Sequence, residues 1–461
     1  MTLNSLSNYK NIYMIGIGGV SMSGLAEHLS HFDFKISGSD TKESDNTRHL
    51  KELGIQVEIG HHPDKMIEAD LVVYTAAIPK NDPEFLYAKE KKIKMMERSE
   101  FLGELTKEYK ECICISGTHG KTTTTSMISS VFLAANLDPT ISVGAYLKSI
   151  NGNNRTGKSD YFILEACEYV DSFLKFYPKT EIILNIDNDH LDYFKNIDNI
   201  KNSFNQFIKR LDKQGTLIAN LDDENTKELI EKNKENVSII TYGIKNEANF
   251  RAIDIKQNDE GQLNFKVLKN NEFYEELTLK VHGQHNILNA LATIATCDLY
   301  KIAKKEIKSG LESFTGANRR FEKIGEVNGC PIYDDYAHHP TEINATYLCS
   351  EEIKKNQTWA IFEPHTYSRT EEHLEEFAHI LSQFDHILLA EIYAAREENS
   401  HNISSKQLEE LIKQENPNCL YLESYDKIID YLKEHIKKED TIITIGAGTI
   451  NKVGYALIEK N

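Results

Sequence analysis

The stretch ICISGTHGKTTTTSM, residues 113–127, leads from an apolar run through a glycine-containing turn into a lysine and four threonines. Gly117 and Gly120 allow a turn in which successive N–H groups point inward, and a helix beginning at Lys121 adds its positive end. Strand, turn and helix together predict a loop that binds phosphate. The match to the usual P-loop is partial, because Ile115 stands where that pattern has its first glycine.

The residue after the lysine extends this prediction. Thr122 occupies the position whose hydroxyl is expected on Mg²⁺ in a P-loop. Because such loops contact phosphate largely through their backbone, the whole turn contributes to the site. We therefore predict phosphate contacts from Gly117, Thr118, His119, Gly120, Lys121, Thr122 and Thr123.

Composition and charge argue against several classes of protein. The 461 residues carry 53 basic and 71 acidic side chains, a net charge of −18, without any basic block. We therefore expect no nucleic-acid partner. Apolar runs stay below the roughly 18 residues that cross a bilayer, and the first residues lack a secretory-signal pattern. We expect a cytoplasmic protein without membrane insertion.

The seven cysteines are scattered along the chain and lack the spacing of a zinc site. We expect them to be reduced core residues. Cys112 and Cys114 lie on one predicted strand, and we expect them to face opposite sides of it.

Strand and helix patterns alternate from residue 11 to 106, restart at CICIS (112–116), and restart again after TGANRRFEKIG (315–325). Such alternation is typical of parallel α/β folds, and the length suits about three domains. We predict an α/β protein of three domains. These are a Rossmann-like domain at 1–106, a central P-loop ATPase domain with a mixed sheet at 107–317, and a C-terminal Rossmann-like domain at 318–461.

An earlier glycine-rich turn, YMIGIGGVSMSG, occupies residues 13–24. Gly16, Gly18 and Gly19 fit the start of a dinucleotide fingerprint, and Asp40 ends the next predicted strand, where a ribose-binding acid lies. Ser21 stands in place of the third glycine, so NAD is one option among diphosphates carried on a nucleoside. Two such sites indicate one nucleotide as energy source and another as the handle of a substrate.

Two polar residues follow apolar strands in the central region. Glu165 follows YFIL and His190 follows EIILNIDND, so both are expected at carboxyl ends of parallel strands. Glu165 is a suitable Mg²⁺ ligand, and His190 could ligate a second ion or contact a transferred phosphoryl group. Neighbouring carboxylates compete for these roles, namely Glu168, Asp187, Asp189 and Asp192.

Motifs in a fixed order run along the whole chain. They are GIGGVSMSG, GSD, TAAIP, SGTHGKTTTT, EACEY, NIDNDHLD, GQHNILNALA, NRRFE, DDYAHHPTE, EPHTYSR and GAGTI. In this order they resemble the Mur ligases of peptidoglycan synthesis. The resemblance implies ATP-driven formation of an amide between the lactoyl carboxylate of UDP-N-acetylmuramate and L-alanine, through an acyl phosphate, with release of ADP and phosphate.

The resemblance also implies roles for individual residues. Mg²⁺ is expected beside ATP, as two ions that Mn²⁺ could replace, held by Thr122, Glu165 and His190. ATP contacts are implied for the P-loop residues 117–123 and for His285, Asn286, Asn289, Arg320 and Asp335. The expected catalytic residues are Lys121, His190, Arg320 and His338.

The resemblance also implies that the two outer domains bind the two other substrates. UDP-substrate contacts are implied for Gly16, Gly18, Gly19, Val20, Ser39, Asp40, Ala77 and Ile78. L-Alanine contacts are implied for Tyr336, His338 and Arg369, with the planar Arg369 fork as partner of the carboxylate. Some relatives carry a second arginine three positions before Arg369, where this chain has Thr366.

Three alternatives share part of this pattern. A ligase of the same fold that joins UDP-N-acetylmuramate to a preformed murein peptide would carry nearly every motif. An NAD-dependent dehydrogenase would explain residues 13–40 and leave the P-loop unexplained. A non-catalytic P-loop switch protein would leave the motifs of the third domain without a role. Amide formation, measured with each acceptor, distinguishes the two ligases and excludes the switch protein. Titration with the nicotinamide cofactor tests the dehydrogenase.

Overall fold

Three separate β-sheets carry the fold in a computed structural model, which describes residues 6–258, 261–395, 397–399 and 402–459. The first sheet has the strand order β3-β2-β1-β4-β5, and all its pairs are parallel. The order reverses beside β1, so the turn after β1 lies at a switch point, where open α/β sheets bind ligands. The strands are β1 (Asn11–Ile15), β2 (Lys35–Asp40), β3 (Gln56–Ile59), β4 (Leu71–Tyr74) and β5 (Lys94–Glu97), with helices α1 (Val20–Ser30), α2 (Asp45–Glu52), α3 (Pro83–Glu90) and α4 (Arg98–Thr106).

The second sheet has ten strands in the order β15-β14-β13-β12-β11-β10-β6-β9-β7-β8. It is mixed, because β7 pairs with β8 antiparallel while β6 pairs parallel with both β9 and β10. Its strands are β6 (Glu111–Ser116), β7 (Thr140–Leu147), β8 (Gly152–Arg155), β9 (Tyr161–Glu165), β10 (Thr180–Ile183), β11 (Thr216–Asn220), β12 (Ser238–Gly243), β13 (Phe250–Gln257), β14 (Leu263–Lys269) and β15 (Glu272–Leu279). Its helices are α5 (Lys121–Ala134), α6 (Leu191–Phe194), α7 (Ile197–Ile208), α8 (Glu224–Asn233), α9 (His285–Leu299) and α10 (Lys304–Ser313).

The third sheet has six strands in the order β16-β17-β21-β18-β19-β20, parallel except for the β16–β17 hairpin. Its strands are β16 (Glu322–Val327), β17 (Cys330–Asp335), β18 (Thr358–Phe362), β19 (His386–Leu389), β20 (Cys419–Tyr421) and β21 (Thr441–Ile445). Its helices are α11 (Pro340–Ile353), α12 (Tyr367–Glu372), α13 (Leu374–Leu381), α14 (Ser405–Glu415), α15 (Tyr425–His435) and α16 (Asn451–Glu459).

The predicted fold class is confirmed by these three α/β sheets. The domain boundaries at 106 and 317 stay predictions, because the compact units are divided differently. One unit comprises the described residues of Met1–Ile253, Lys266–Leu277 and Leu288–Ser313, and the other those of Asp254–Phe265, Thr278–Ile287 and Phe314–Asn461. None of the described helices combines the length and apolar character needed to cross a bilayer.

The two cysteines of β6 correct one expectation. Side chains alternate along a strand, so residues two apart point to the same face, and the expectation of opposite faces is wrong. The Sγ atoms of Cys112 and Cys114 lie 3.7 Å apart in the buried core. All seven cysteines are free thiols, as predicted, although Cys167 is exposed rather than buried.

Helix α1 packs the first sheet region against the second within one compact unit. A Cβ atom at Gly24 would lie 1.8 Å from the Asn154 amide nitrogen, so any larger residue there would have to displace the Asn154 side chain. Nearby, the buried ring of His28 places Nδ1 2.8 Å from the Thr156 hydroxyl and Nε2 3.3 Å from the Tyr109 hydroxyl. Burial lowers the pKa of His28 to about 4.

This histidine predicts an acid-sensitive stability. The unfolded chain takes up a proton near the ordinary pKa of 6.5, but the folded protein resists protonation down to about 4. The contribution of neutral His28 to stability is therefore fully present above about pH 6.5 and is lost as the pH falls from about 6.5 to about 4. Between pH 7 and pH 5 we expect His28→Gln to lose about 2 kcal/mol less stability than the wild type. Denaturant unfolding at both pH values measures this difference, and equal losses would contradict it.

Candidate active site

The P-loop lies at the carboxyl end of β6 and leads directly into α5. Gly117 and Gly120 have φ angles of 132° and 86°, in the region that favours glycine. Gly120 is the N-cap of α5 and supplies no side-chain cap, so the N-cap itself does not compete with an anion at the positive end of the helix. A Cβ atom at Gly120 would lie 2.8 Å from Asn289 Oδ1, which brings this predicted residue of α9 against the loop.

The segment after β10 braces the P-loop. The backbone N–H of Thr118 donates to the Asn185 carbonyl at 3.1 Å, and that of His119 donates to Asn185 Oδ1 at 2.8 Å. The Asp187 N–H donates to the Thr118 hydroxyl at 2.9 Å, and His119 Nε2 lies 3.3 Å from Asp187 Oδ2. The segment after β10 therefore holds Thr118 and His119, two residues predicted to bind ATP, through hydrogen bonds. The Asn185 brace was not predicted from the sequence.

The side chain of Lys121 folds back against the loop that precedes it. Its Nζ donates to the carbonyl oxygens of Gly117 and Thr118, at 2.5 and 3.0 Å. It also lies 3.1 and 3.0 Å from the two carboxylate oxygens of Glu168. Burial alone would lower the pKa of Lys121, but the Glu168 carboxylate and nearby acids outweigh it and raise the pKa to about 12. The lysine therefore carries a full positive charge.

Thr122 and Glu165 form the pair that was predicted to hold a metal ion. Parallel pairing sets Ile115 on β6 opposite Glu165 on β9, and the Thr122 hydroxyl donates to Glu165 Oε2 at 3.2 Å. The Gly144 N–H holds the other carboxylate oxygen at 2.6 Å. A hydroxyl beside a carboxylate at a phosphate loop is a donor set that Mg²⁺ prefers. The residues therefore fit the ion.

His190 lies on a different segment, at the start of α6. Its backbone has a φ angle of 56°, and its ring lies 4.5 Å from the ring of Tyr169. Its Nε2 is 3.7 Å from Asp189 Oδ2. The described contacts place His190 against the loop after β9, without a contact to Thr122 or Glu165. Its metal role stays a prediction, and the side chain of Asp192 lies outside the described residues.

The first glycine-rich turn is closed by the end of β2. The N–H groups of Gly16 and Ile17 donate to the Ser39 carbonyl at 2.8 and 2.9 Å. The Gly18 N–H donates to Asp40 Oδ2 at 2.9 Å, so this acid is bound to the turn itself. The Ser39 hydroxyl is buried and donates to Glu84 at 2.5 Å, away from the turn.

The other predicted UDP-substrate residues surround this turn. Gly19 is the N-cap of α1 without a side-chain cap, and Val20 begins the helix 54% exposed. Ala77 and Ile78 belong to a turn after β4, where their N–H groups donate to the hydroxyl and the carbonyl of Thr75. Arg98 from α4 donates to the Ser21 hydroxyl at 3.2 Å, a neighbouring cation that was not predicted from the sequence. The contacts of these residues with a substrate stay predictions.

Two adjacent arginines of the third sheet region have different surroundings. Arg319 donates to Asp334 at 2.9 Å and to the carbonyls of Gly448 and Gly446 at 3.0 and 2.6 Å, which makes it a structural residue. Arg320 places its guanidinium carbon 5.4 Å from the ring centre of Tyr336. Arg320, the arginine that was predicted for ATP, also acts electrostatically on the buried carboxyl group of Asp335.

Asp335 accepts backbone hydrogen bonds from Phe321 and Ala337, at 2.9 and 2.8 Å. Burial raises the pKa of its carboxyl group to about 7, against the opposing effect of Arg320. Asn286 donates to the His282 carbonyl at 2.6 Å, at the start of α9 where His285 is the first residue. These interactions show how Asp335 and Asn286 are held, while the contacts of all three predicted residues with ATP stay predictions.

The predicted alanine residues are gathered after β17 and β18. His338 Nδ1 lies 3.0 Å from the Tyr336 carbonyl, and its ring is 5.8 Å from that of His365. Burial lowers the pKa of His365 to about 4, and the charges of His338 and Arg369 act in the same direction. His365 was not singled out from the sequence, although it belongs to the quoted EPHTYSR motif. Its stacking partner is Tyr393, with ring centres 5.7 Å apart.

Thr366 occupies a strained position in this cluster. Its φ and ψ angles are 64° and 149°, a combination that is rarely open to any residue except glycine. Its side chain caps α12 by accepting the Arg369 N–H at 3.4 Å. The residue that departs from the pattern of some relatives therefore fixes the helix that carries Arg369.

These features define a multidomain α/β protein with a P-loop nucleotide site and a second nucleotide-type turn. Three family models match the chain, the Mur ligase family catalytic domain at 11–110, the Mur ligase middle domain at 115–297, and the Mur ligase glutamate ligase domain at 319–448. The chain belongs to the Mur ligase family, and the resemblance inferred from the motifs is confirmed.

Relatives of the chain match over its whole length. The UDP-N-acetylmuramate–L-alanine ligase of Clostridium botulinum is 49% identical over 449 residues, 97% of each chain. That of Clostridium novyi is 47% identical over 461 residues, 100% of each chain. The crystal structure of UDP-N-acetylmuramate-alanine ligase from Thermotoga maritima has a TM-score of 0.82 at 28% identity, covering 98% of this chain and 99% of its own. A murein peptide ligase from Psychrobacter arcticus has a TM-score of 0.69 at 26% identity, covering 98% of each chain.

The metal pair generates a mutational prediction. We expect Glu165→Gln to raise the Mg²⁺ concentration for half-maximal ADP release about tenfold and to lower turnover, because an amide oxygen is a weaker ligand than a carboxylate. Glu228→Gln is the control, since Glu228 forms an exposed 2.9 Å ion pair with Lys201 on α7. A Mg²⁺ titration of Glu165→Gln that superimposes on that of the control would contradict the assignment.

The first turn generates a second prediction. A Cβ atom at Gly18 would lie 2.6 Å from Thr47 Cγ2 and 2.9 Å from Asp40 Oδ2, so a valine must displace these side chains, including the carboxylate that accepts the Gly18 N–H. We expect Gly18→Val to weaken UDP-N-acetylmuramate binding about tenfold or more while ATP affinity changes within a few fold. Calorimetry with each ligand measures both affinities. Equal loss of both in a folded variant, or NADH binding to the wild type, would refute the assignment.

Proposed function

We propose that this Mur ligase joins L-alanine to the lactoyl carboxylate of UDP-N-acetylmuramate, with conversion of ATP to ADP and phosphate. The full-length match to curated UDP-N-acetylmuramate–L-alanine ligases at 49% identity carries this proposal. The peptide-ligase alternative is disfavoured, since at equal coverage of this chain the TM-score is 0.82 for the alanine ligase structure and 0.69 for the murein peptide ligase. The family assignment also disfavours the dehydrogenase and switch-protein alternatives.

The chemistry follows from the weakness of a carboxylate as an electrophile. One lactoyl oxygen forms a bond to the γ-phosphorus of ATP as the bond from that phosphorus to the bridging oxygen breaks and ADP leaves. The alanine nitrogen then bonds to the acyl carbon, the carbon–oxygen bond to phosphate breaks, and one amine proton must be removed. Both steps concentrate negative charge on phosphoryl oxygens, so catalysis depends on placed cations.

The P-loop supplies the first of these cations. We propose that Lys121 and the N–H groups at the start of α5 bind the β- and γ-phosphates, with Arg320 as a further positive group. Thr122 and Glu165 would hold one Mg²⁺, with His190 on a second ion. Bound Mg²⁺ neutralises charge on the phosphates during transfer. The adjoining hydroxyl and carboxylate, 3.2 Å apart, support the first assignment.

We propose that the third sheet region binds L-alanine. Arg369 has the planar fork that binds a carboxylate through two hydrogen bonds. His338 Nδ1 must carry a proton, because its 3.0 Å neighbour is the Tyr336 carbonyl oxygen, which can only accept. In the neutral ring this leaves Nε2 as the accepting nitrogen, so His338 is our candidate for the group that takes the amine proton. Tyr336 would line the same pocket.

We also propose a cytoplasmic location and binding of UDP-N-acetylmuramate at the first turn. All seven cysteines are free and Cys167 is exposed, which suits a reducing compartment. The residues of the first turn lie at the switch point of a sheet with the order β3-β2-β1-β4-β5, where a nucleoside diphosphate binds in such folds.

The acceptor is tested directly with the purified protein, ATP, Mg²⁺ and UDP-N-acetylmuramate. We expect L-alanine to support phosphate release with a kcat/KM about 100-fold or more above that of L-alanyl-D-glutamyl-diaminopimelate, because a pocket closed around one residue excludes a tripeptide. Mass spectrometry of the sugar nucleotide identifies the product. Preferential use of the tripeptide would establish the peptide-ligase alternative, and the absence of product with both acceptors would overturn the proposal.

A further inference from the structure

We infer that Glu168 is a positioning residue for catalysis, because it anchors the ammonium of Lys121 while that ammonium exchanges carbonyl oxygens of its own loop for phosphate oxygens. The inference rests on the proposed ATP site. It concerns a carboxylate that the sequence left as one of several competitors for a metal ion.

The first observation is the isolation of the pair from water. The side chain of Glu168 is 2% exposed and that of Lys121 is 16% exposed. Both carboxylate oxygens face Nζ, at 3.1 and 3.0 Å. Within the described residues, Lys121 is the hydrogen-bonding partner of this carboxylate. Both oxygens of Glu168 are thus engaged by the lysine, whereas Thr122 and Glu165 adjoin each other at 3.2 Å as the candidate metal ligands.

The second observation is that the ammonium has no spare donor. A lysine ammonium offers three N–H donors, and here they face the Gly117 carbonyl, the Thr118 carbonyl and Glu168. To bind phosphate, Lys121 must release at least one of these acceptors. Release of a carbonyl is the smaller cost, because release of Glu168 would leave a buried carboxylate without a partner. The geometry therefore favours exchange of the carbonyls and retention of the ion pair.

The third observation is that the backbone after Glu168 is held in a strained turn. Val170 and Asp171 have φ angles of 49° and 56°, and a left-handed conformation is unusual for a β-branched residue. Asp171 is secured by the Tyr193 hydroxyl at 2.6 Å and by the hydroxyl of Ser203. Its N–H donates to the Glu168 carbonyl at 2.9 Å. This turn holds the backbone from which the Glu168 side chain reaches Lys121.

The test combines Glu168→Gln with Lys121→Ala. Glu168→Gln keeps the shape but removes the charge that aims the ammonium, so we expect kcat to fall about 50-fold or more. The KM for UDP-N-acetylmuramate should stay within about twofold of the wild type. Glu168→Asp keeps the charge and should lose less activity than Glu168→Gln. Glu228→Gln, which removes an ion pair between α8 and α7, should match the wild type.

Calorimetric ATP binding in the Lys121→Ala background separates positioning from support of the fold. There the remaining carboxylate faces the triphosphate without its lysine, so Glu168→Gln should tighten ATP binding about tenfold. A residue that only supports the fold would weaken binding in that background and lower the melting temperature of both variants.

The outcomes distinguish this inference from the proposed function. If the wild type forms no amide with ATP, the proposed function fails. If the wild type is active and Glu168→Gln retains kcat within about threefold, only the positioning role fails. Tighter ATP binding by Glu168→Gln alone with unchanged kcat would also overturn it, because Glu168 would then merely restrain the lysine.

Discussion

Parallel pairing of β6 with β9 and β10 is the constraint on which the candidate site depends. Parallel strands end at the same edge of a sheet, so three loops of unrelated sequence converge there. The loop after β6 supplies the phosphate-binding turn, the last residue of β9 and the loop after it supply Glu165 and Glu168, and the loop after β10 supplies Asn185. If the pairing of these strands shifted by one residue, their side chains would point to the opposite face of the sheet and the residues of the site would no longer lie together.

The parts of this arrangement that were predictable are local in sequence or depend on strand polarity alone. A glycine-lysine turn between strand and helix specifies its own backbone, and Glu165 follows from a strand that ends in an acid. The three α/β sheets were predictable for a similar reason, since alternating apolar strands and amphipathic helices allow few architectures. Resemblance then added residues such as Arg320 and Arg369, which no local pattern distinguishes from surface arginines.

The parts that could not be predicted are the partners of polar side chains across the fold. The sequence offered Glu168 as one of four competing carboxylates, and its pairing with Lys121 depends on the left-handed turn at Val170 and Asp171. Ser39 lies one residue from Asp40, yet its hydroxyl points to Glu84, 45 residues along the chain. The partner of each of these polar side chains is decided by packing across the fold, which a motif does not encode.

A buried ion pair is a poor source of stability, because the cost of removing two charges from water offsets most of their attraction. The Lys121–Glu168 pair and the strained turn beside it therefore need another explanation than a stable fold. Both are explained if the site must present an already desolvated, oriented cation to a triphosphate, since such a group needs no reorganisation as charge develops on the phosphoryl oxygens. The strand pairing that fixes β6 and β9 then serves the charge distribution of the reaction as much as the packing of the sheet.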